Sequence, residues 1–279
     1  MEMNWLQSLI VGLVSGFAEI IPVSAEAHRL LILKFFGFRE DGALVRLMVH
    51  VGTVAALYYC SRKHIVMMMR AYRLSRIPKK RRKRPLDMKS MNDFNLLRTA
   101  LIPCVLALIL YSQIRAISGR LLWVGLLLFV NGVILYIPQY LPGANKDSGA
   151  MNRLEGLILG LGGGLSVLPG LSCTGNALSV ASVLGMEPKH GLNIAIVMNI
   201  PMVLGYAVWD MIDIVNLGLN GFSFLGFAGA LLAGCAAFAG VFLGVKVLRK
   251  LHNTLGVSVF AFYCWGAALL MFIFYLTAA

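Results

Sequence analysis

Charged side chains are scarce in this sequence. They account for 13% of its 279 residues, about half of the roughly 25% that is usual in soluble proteins. The mean hydropathy is +0.79, so apolar residues predominate along the chain. This composition excludes an ordinary pair of soluble domains and predicts a single integral membrane domain over residues 1–279.

The sequence also lacks the motifs of several enzyme classes. It contains no P-loop, no HExxH zinc motif and no dinucleotide-binding fingerprint. One class of lipid phosphatase needs a lysine seven residues before Arg84-Pro85, and Ile77 stands there. The five cysteines have no CxxC spacing, and four lie in or at the ends of apolar runs. We therefore expect no disulfide framework and no metal-binding residues among them.

Basic residues are present but very unevenly distributed. The chain has a net charge of +13, and residues 62–98 hold 13 Lys/Arg and two Asp, a net +11. The run from Lys79 to Arg84 alone could indicate nucleic-acid binding. Between membrane spans, such a segment is typical of a cytoplasmic loop that contacts anionic lipids. We predict that second role for 62–98, and no nucleic-acid partner.

Long apolar runs alternate with two interrupted ones. Six runs predict transmembrane helices, at 44–60, 99–112, 121–137, 192–209, 223–245 and 256–277. The stretches 5–36 and 154–187 are broken by glycine and proline, and we predict that each forms a re-entrant helix pair shielded inside the protein. We also predict that the two pairs meet and enclose a polar chamber for a charged lipid head group.

The charge pattern orients these elements. With 62–98 in the cytoplasm, the first re-entrant pair opens to the outside and the second opens to the cytoplasm. The prediction is thus an all-α polytopic membrane protein with six transmembrane helices plus two re-entrant helix pairs in an inverted-topology repeat. Repeat one covers about 5–137 and repeat two about 154–277. Four basic residues are exceptions to the positive-inside rule in this orientation, because it places them on the outer side. They are Arg29, Lys34, Arg39 and Arg46.

The first interrupted segment carries a group of ionisable residues. Glu19, Glu26, His28 and Arg29 lie close to Pro22 in an otherwise apolar stretch. A charge at mid-membrane costs about 2.5–3.5 kcal/mol, so such residues are functional candidates by default. Two other interpretations stay open. Residues 26–29 could extend to the membrane surface, or Glu26 and Arg29 could neutralise each other as an i,i+3 pair.

The second interrupted segment carries hydroxyl groups and glycines after Pro169. Ser172, Thr174 and Gly175 lie where a helix is expected to begin, which suits either phosphate binding or simple helix capping. Cys173 could act as a thiolate or as an inert small residue. His50, inside a predicted span, could join a shared polar pocket or could pack.

These residues resemble the undecaprenyl-diphosphate phosphatase (bacitracin-resistance) family. The similarity includes both proline-centred loops, the segment Val49-His50-Val51-Gly52-Thr53, the pair Ile200-Pro201 and the six-span layout. It implies a multi-pass protein of the bacterial plasma membrane with inverted repeats. Family members remove a phosphate from the polyprenyl diphosphate carrier that serves cell-wall peptidoglycan synthesis. A homodimer is a candidate assembly.

Two family motifs assign residues by resemblance. The first resembles Glu-x-x-x-Glu followed by Pro-Val-Ser-Ser-Thr-Gly-His, and the second resembles Pro-Gly-x-Ser-Arg-Ser-Gly. Glu19 matches the second glutamate, Ser24 the first serine and His28 the histidine. The positions around the motif arginine are matched by Ser172, Thr174 and Gly175.

The departures from these motifs fall on the functional positions. Ser15 stands in place of the first glutamate, Ala25 in place of the second serine and Cys173 in place of the arginine. Losing one charge-stabilising donor costs about 10²–10³ in rate. Glu26 could replace the missing carboxylate, and Arg29 or Arg46 the missing cation.

Three functions follow from the resemblance and its departures. The first is binding or translocation of a polyprenyl phosphate or diphosphate, with hydrolysis reduced or absent. The second is an active diphosphatase, with or without Mg²⁺ or Ca²⁺, and the third is a small-solute transporter. The candidate catalytic residues are Glu19 and His28, with Glu26 as an addition. The candidate substrate-binding residues are Ser24, Arg29, His50, Ser172, Cys173, Thr174 and Gly175.

Overall fold

Helices dominate the fold. The computed structural model describes residues 3–38, 41–115, 119–141, 145–217 and 224–278, and these residues form no strand beyond two isolated bridges. The α-helices are α1 (Trp5–Ile20), α2 (Ala25–Phe35), α3 (Ala43–Ser75), α4 (Met88–Ile114), α5 (Leu121–Tyr136), α6 (Arg153–Gly164), α7 (Cys173–Val183), α8 (Pro188–Leu217), α9 (Phe224–Leu255) and α10 (Val259–Ala278).

Six of these helices are long and apolar enough to cross a membrane. They are α3, α4, α8, α9, α10 and α5, the last continued by a 3-10 turn to Tyr140. Each coincides with one of the predicted spans, although α10 begins three residues after the predicted 256 and residue 223 lies outside the described residues. The prediction of six transmembrane helices is therefore confirmed.

The basic segment 62–98 is mostly helical and not a loop, so that prediction was wrong about its structure. Helix α3 continues to Ser75 and α4 begins at Met88, which leaves only 76–87 as the connection. The 33 residues of α3 extend about 50 Å, well beyond a hydrocarbon core of about 30 Å. Because lysine and arginine favour helix, the chain stays helical after it leaves the apolar region.

Each proline-interrupted segment forms two short helices, as predicted. In the first, α1 ends at Ile20 and Ser24 begins α2 with an unusual backbone φ of 65°. In the second, α6 ends at Gly164 and Ser172 caps α7 through a bond from the Gly175 amide. The return of each pair to its own side of the bilayer stays a prediction.

The first short helix of each pair packs closely on a span of the opposite half. A Cβ on Gly12 or Gly16 of α1 would collide with the backbone oxygens of Ala233 or Ala237 in α9. A Cβ on Gly160 of α6 would likewise collide with the Ala100 oxygen in α4. Small residues permit such close contact between membrane helices. Helix α3 also packs on α8, and α5 on α10, and these exchanged pairings support the predicted inverted repeat.

Candidate functional site

The two proline-containing segments meet inside the bundle. A Cβ on Gly175 would lie 2.8 Å from the Cβ of Pro22, so no larger residue fits without movement. Asn131 of α5 ties the segments together, since its amide nitrogen donates to the Pro22 carbonyl at 3.1 Å and its oxygen accepts from the Ser172 backbone N–H at 2.9 Å. The sequence predicts this meeting, although Asn131 was missed.

Glu19 lies directly beside the second segment. The Thr174 hydroxyl donates to the Glu19 carbonyl oxygen at 3.5 Å. The buried Asn199 side chain donates to the same carbonyl at 3.2 Å and to the Thr174 hydroxyl at 3.3 Å. These bonds fix the end of α1 against the start of α7 and bring Glu19 close to the hydroxyl-rich turn. Asn199 thus forms the interhelical bonds that polar residues commonly make in membrane proteins.

A small polar cavity of about 70 Å³ lies at this junction, and we name it the central cavity. Its polar lining comes from both halves of the chain. It consists of Ser15, Glu19, Glu26, Arg29, Asp41, Arg46, His50, Thr53, Tyr111, Ser166, Ser172, Cys173 and Tyr206.

Arg29 enters the central cavity with carboxylates on two sides. One of its nitrogens lies 2.6 Å from Glu26 Oε1, and another bonds to Asp41 Oδ1. The Asp41 carboxylate is completely buried. The predicted Glu26–Arg29 pair is therefore present, but it faces the cavity and includes a third charged group.

Arg46 joins the same network from α3. Its guanidinium lies 3.1 Å from Asp210 Oδ1 and 3.2 Å from Asp213 Oδ2, and it also donates to the Asp41 carbonyl oxygen at 2.9 Å. His50 Nδ1 lies 2.6 Å from Asp210 Oδ2. Arg29 and Arg46, which the predicted orientation places on the outer side, are thus paired with carboxylates. Arg39 lies outside the described residues.

His28 does not line the central cavity. Its Nδ1 lies 2.8 Å from the Ser24 carbonyl oxygen and its Nε2 lies 2.7 Å from the Tyr263 hydroxyl on α10. Successive residues of a helix are rotated by about 100°, so Glu26 and Arg29 share one face of α2 while His28 projects from another. The assignment of His28 to the polar site alongside Glu19 is therefore not supported by its position.

Three other predicted site residues hold the site together without lining the cavity. The Ser24 hydroxyl accepts from the Ala27 amide at 3.4 Å and caps α2. Thr174 bonds to Glu19 and Asn199, and Gly175 permits the contact with Pro22. The predicted residues that do line it are Glu19, Glu26, Arg29, His50, Ser172 and Cys173.

Several cavity residues were missed by sequence reasoning. Asp210 does not line the cavity but binds Arg46 and His50, which do, and an ionisable residue at the end of an apolar run is a recognisable signal. Ser166 and Tyr206 contact each other at 3.1 Å between their oxygens, and both line the cavity with Tyr111. Tyrosine and serine in apolar runs are too common to indicate a site without the fold.

The donor set of the cavity does not fit a resident Mg²⁺ or Ca²⁺. The carboxylates of Glu26 and Asp41 already contact arginines, which leaves Glu19 as the lining carboxylate without an arginine within ion-pair distance. Across the described ranges, no three His, Cys, Asp or Glu side chains are grouped as a metal site requires.

Comparison with known proteins gives matches along nearly the whole chain. A relative from Methanobrevibacter smithii is 29% identical and one from a Nocardioides species is 28% identical, each covering 97% of both chains. A third, from Carboxydothermus hydrogenoformans, is 29% identical over 94% of both chains. All three are named undecaprenyl-diphosphatase. The family model described as bacitracin resistance protein BacA matches residues 8–270, and this chain therefore belongs to the BacA family.

Proposed function

We propose that this multi-pass inner-membrane protein binds the phosphate head of a polyprenyl phosphate or diphosphate carrier in its central cavity, with hydrolysis much reduced or absent. The names of its relatives support the ligand class. One buried cavity atom that can donate a hydrogen bond, Ser15 Oγ, has no partner among the described residues. Buried polar atoms normally have one, so this hydroxyl is available to a bound head group.

The main observation in favour of reduced hydrolysis is the lack of an unpaired positive charge among the described residues around Cys173. This residue lines the cavity where the family motif has arginine, and it is buried. A neutral thiol cannot form the bidentate, charge-assisted bonds that a guanidinium makes with phosphate. Arg29 and Arg46, the arginines that do line the cavity, already contact carboxylates. A phosphate would have to compete with these fixed anions for either cation.

The serine at position 15 supports the same conclusion. The family motif has a glutamate there, and the hydroxyl that replaces it carries no charge. Ser15 and Glu19 both line the cavity, so the pair of carboxylates expected from the motif is reduced to one. Two motif carboxylates could divide head-group contact and proton transfer between them. Glu19 alone would have to serve one task or the other.

Translocation of the bound lipid is compatible with the same architecture. Paired broken segments that meet between two halves of a membrane protein are typical of alternating-access transporters. In this protein the two interrupted segments are joined by a few short bonds and one close glycine contact, through Asn131, Thr174 and Gly175. A movement that separates these two segments would open the cavity.

An active diphosphatase is the second candidate, and the position of Glu19 favours it. The carboxylate lines the cavity and has no Lys, Arg or His within ion-pair distance in the described part of the chain. It is therefore a candidate general base. In this version of the function, Glu26 and His50 would assist from the same cavity, and His28 would not contact the substrate.

Phosphate release by purified protein tests the proposal. We expect little release from farnesyl or undecaprenyl diphosphate, and thermal stabilisation by polyprenyl monophosphate. Turnover by the wild-type protein that Glu19→Ala abolishes would establish the diphosphatase instead. Absence of both turnover and stabilisation would contradict both candidates and favour a small-solute transporter.

A pair of substitutions that restores charge to the cavity tests whether the missing charge limits hydrolysis. Cys173→Arg combined with Ser15→Glu restores both family residue types, and we expect phosphate release to rise by at least about 10². Cys173→Met with Ser15→Gln is the matched control, since it adds comparable bulk without charge. Equal activity of the two double variants would show that charge at these positions does not limit hydrolysis.

A further inference from the structure

A second and larger cavity lies at the other end of the bundle. It has a volume of about 660 Å³ and is formed by α3, α4, α8 and α9. Arg46 of the central cavity and Arg62 of this cavity are 16 positions apart on α3, a rise of about 24 Å along the helix. We name this cavity the basal pocket.

Cations from three helices converge on the basal pocket. They are Arg62 and Lys63 from α3, Lys89 from α4, and Lys246 and Arg249 from α9. In the described part of the chain, none of the five has a carboxylate within 4.0 Å. This differs from the central cavity, where each lining arginine contacts carboxylates. The basal pocket therefore has positive charge available for an external anion.

The two acidic residues of the pocket are already engaged. Asp93 lies 2.8 Å from His64 and 3.0 Å from His190, and accepts from the Ser148 hydroxyl at 2.5 Å. Asp87 accepts from the amide and hydroxyl of Ser90 at the start of α4. Neither aspartate forms an ion pair with the lysines and arginines of the pocket, so the excess of positive charge is not cancelled locally.

Aromatic and apolar side chains form the rest of the wall. The Arg62 guanidinium lies 4.5 Å from the centre of the Tyr59 ring, and the Lys246 ammonium lies 4.2 Å from the centre of the Phe242 ring. Tyr59 and Met67 are 46% and 48% exposed. The pocket lies where the apolar part of α3 gives way to its basic end, the depth at which aromatic residues and lipid phosphates occur in membranes.

We propose that the basal pocket binds a phosphate group, carried either by an anionic membrane lipid or by a soluble phosphate. Its cations would contact the phosphate oxygens, and Tyr59, Met67 and Phe242 would contact the acyl chains of a lipid. The site is separate from the central cavity and does not depend on the function proposed for it.

Binding of labelled phosphatidic acid to the purified full-length protein in detergent micelles tests this site. The pocket variant is Lys63→Gln with Lys246→Gln and Arg249→Gln. The matched control is Lys79→Gln with Lys80→Gln and Arg81→Gln, which removes the same charge from basic residues that do not line the pocket. All six side chains are exposed, and thermal unfolding of each variant checks that it is folded.

We expect the pocket variant to bind phosphatidic acid at least about tenfold more weakly and the control variant to bind almost as well as the wild type. Equal weakening in both variants would show diffuse attraction to basic residues and overturn the proposal. Unchanged binding in the pocket variant would overturn it as well. Glu19→Gln, which alters only the central cavity, should leave this binding intact.

Competition with inorganic phosphate distinguishes a lipid phosphate from a soluble phosphate as the ligand. If inorganic phosphate stabilises the wild type but not the pocket variant, while phosphatidic acid binds no better than phosphatidylcholine, the ligand is a soluble phosphate. If phosphatidic acid binds and inorganic phosphate displaces it only weakly, the ligand is a lipid. If neither binds in a way that depends on the pocket cations, no phosphate site exists there.

Discussion

Gly175 of the second interrupted segment and Pro22 of the first are in direct contact. A Cβ on the glycine would come within 2.8 Å of the proline Cβ and 2.9 Å of a Leu135 methyl carbon. The two halves of the protein therefore meet at a point where only a hydrogen atom fits. Because Glu19 lies three residues before Pro22, this contact also determines how close its carboxylate lies to the Ser172 turn.

Gly175→Ala should therefore loosen the junction. Overpacking of a tight interior typically costs about 1–3 kcal/mol, and we expect a loss of this size in the free energy of unfolding, together with weaker binding of polyprenyl phosphate. Gly266→Ala in α10 is the control, since a Cβ there meets nothing within 4 Å and alanine favours helix. Equal thermal stability of the two variants would contradict the close contact.

Asn199 offers a test of the polar link between the halves. Its amide donates to the Glu19 carbonyl and to the Thr174 hydroxyl, and the residue is completely buried. Asn199→Ala leaves both acceptors without this donor, which should cost about 1–3 kcal/mol of stability. Thr174→Val and the double variant complete a mutant cycle, and we expect coupling above about 0.5 kcal/mol. Asn193→Ala, at an exposed position of the same helix, should change stability very little.

The sequence was sufficient to predict the spans and the meeting of the two broken segments. Apolar length identifies a span without reference to the rest of the fold, and proline with glycine identifies a break. Glu19 was recognised for the same reason, because an ionisable group in an apolar run has to face the protein interior. The spans, the breaks and Glu19 are each identified from a local pattern, and the meeting follows from the matching positions of the two breaks in the two halves.

The remaining features depend on contacts between distant parts of the chain. Arg46 and Asp210 are 164 positions apart, and nothing near either residue indicates the other. His28 lies outside the central cavity because its side-chain direction depends on where α2 begins. The end of α3 was misplaced because hydropathy reports where lipid ends, whereas helix propensity and a later proline, Pro78, determine where the helix ends.

Asp210 should be essential for the charge network around the central cavity. Its two oxygens contact Arg46 and His50, and its side chain is only 7% exposed. Asp210→Asn would leave a buried guanidinium with less compensation, and breaking a buried ion pair costs about 3–5 kcal/mol. Adding Arg46→Met should recover part of that loss, measured by thermal unfolding. Arg115→Met, at a more exposed pair with Asp213, should cost no more than about 1 kcal/mol.

Substitution of His28 distinguishes a residue that positions the helices from one that contacts the ligand directly. Because the ring of His28 bonds to Ser24 and Tyr263, His28→Phe should lower stability by about 1 kcal/mol and leave the affinity for polyprenyl phosphate nearly unchanged. Tyr263→Phe should behave in the same way. Glu19→Gln should instead weaken the binding while the protein stays folded. A loss of affinity in His28→Phe as large as that in Glu19→Gln would place the histidine at the ligand.

The hydrogen-bonded carboxyl group of Asp87 should make the stability of the protein depend on pH. Hydrogen bonds from the hydroxyl and the amide of Ser90 hold the pKa of the Asp87 carboxyl below its usual value, which is about 3.9 in an unfolded chain. A lowered native pKa adds stability at pH values above the unfolded pKa, and this contribution disappears as the pH falls through the native pKa.

Asparagine caps a helix equally well but does not titrate. We therefore expect Asp87→Asn to be less stable than the wild type near neutral pH by no more than about 0.5 kcal/mol, since the exposed charge is screened. The difference should vanish in acid, and thermal unfolding across the pH range measures it. In a Ser90→Ala background the same substitution should show a smaller dependence on pH, whereas a difference that stays constant at every pH would contradict the role of the charge.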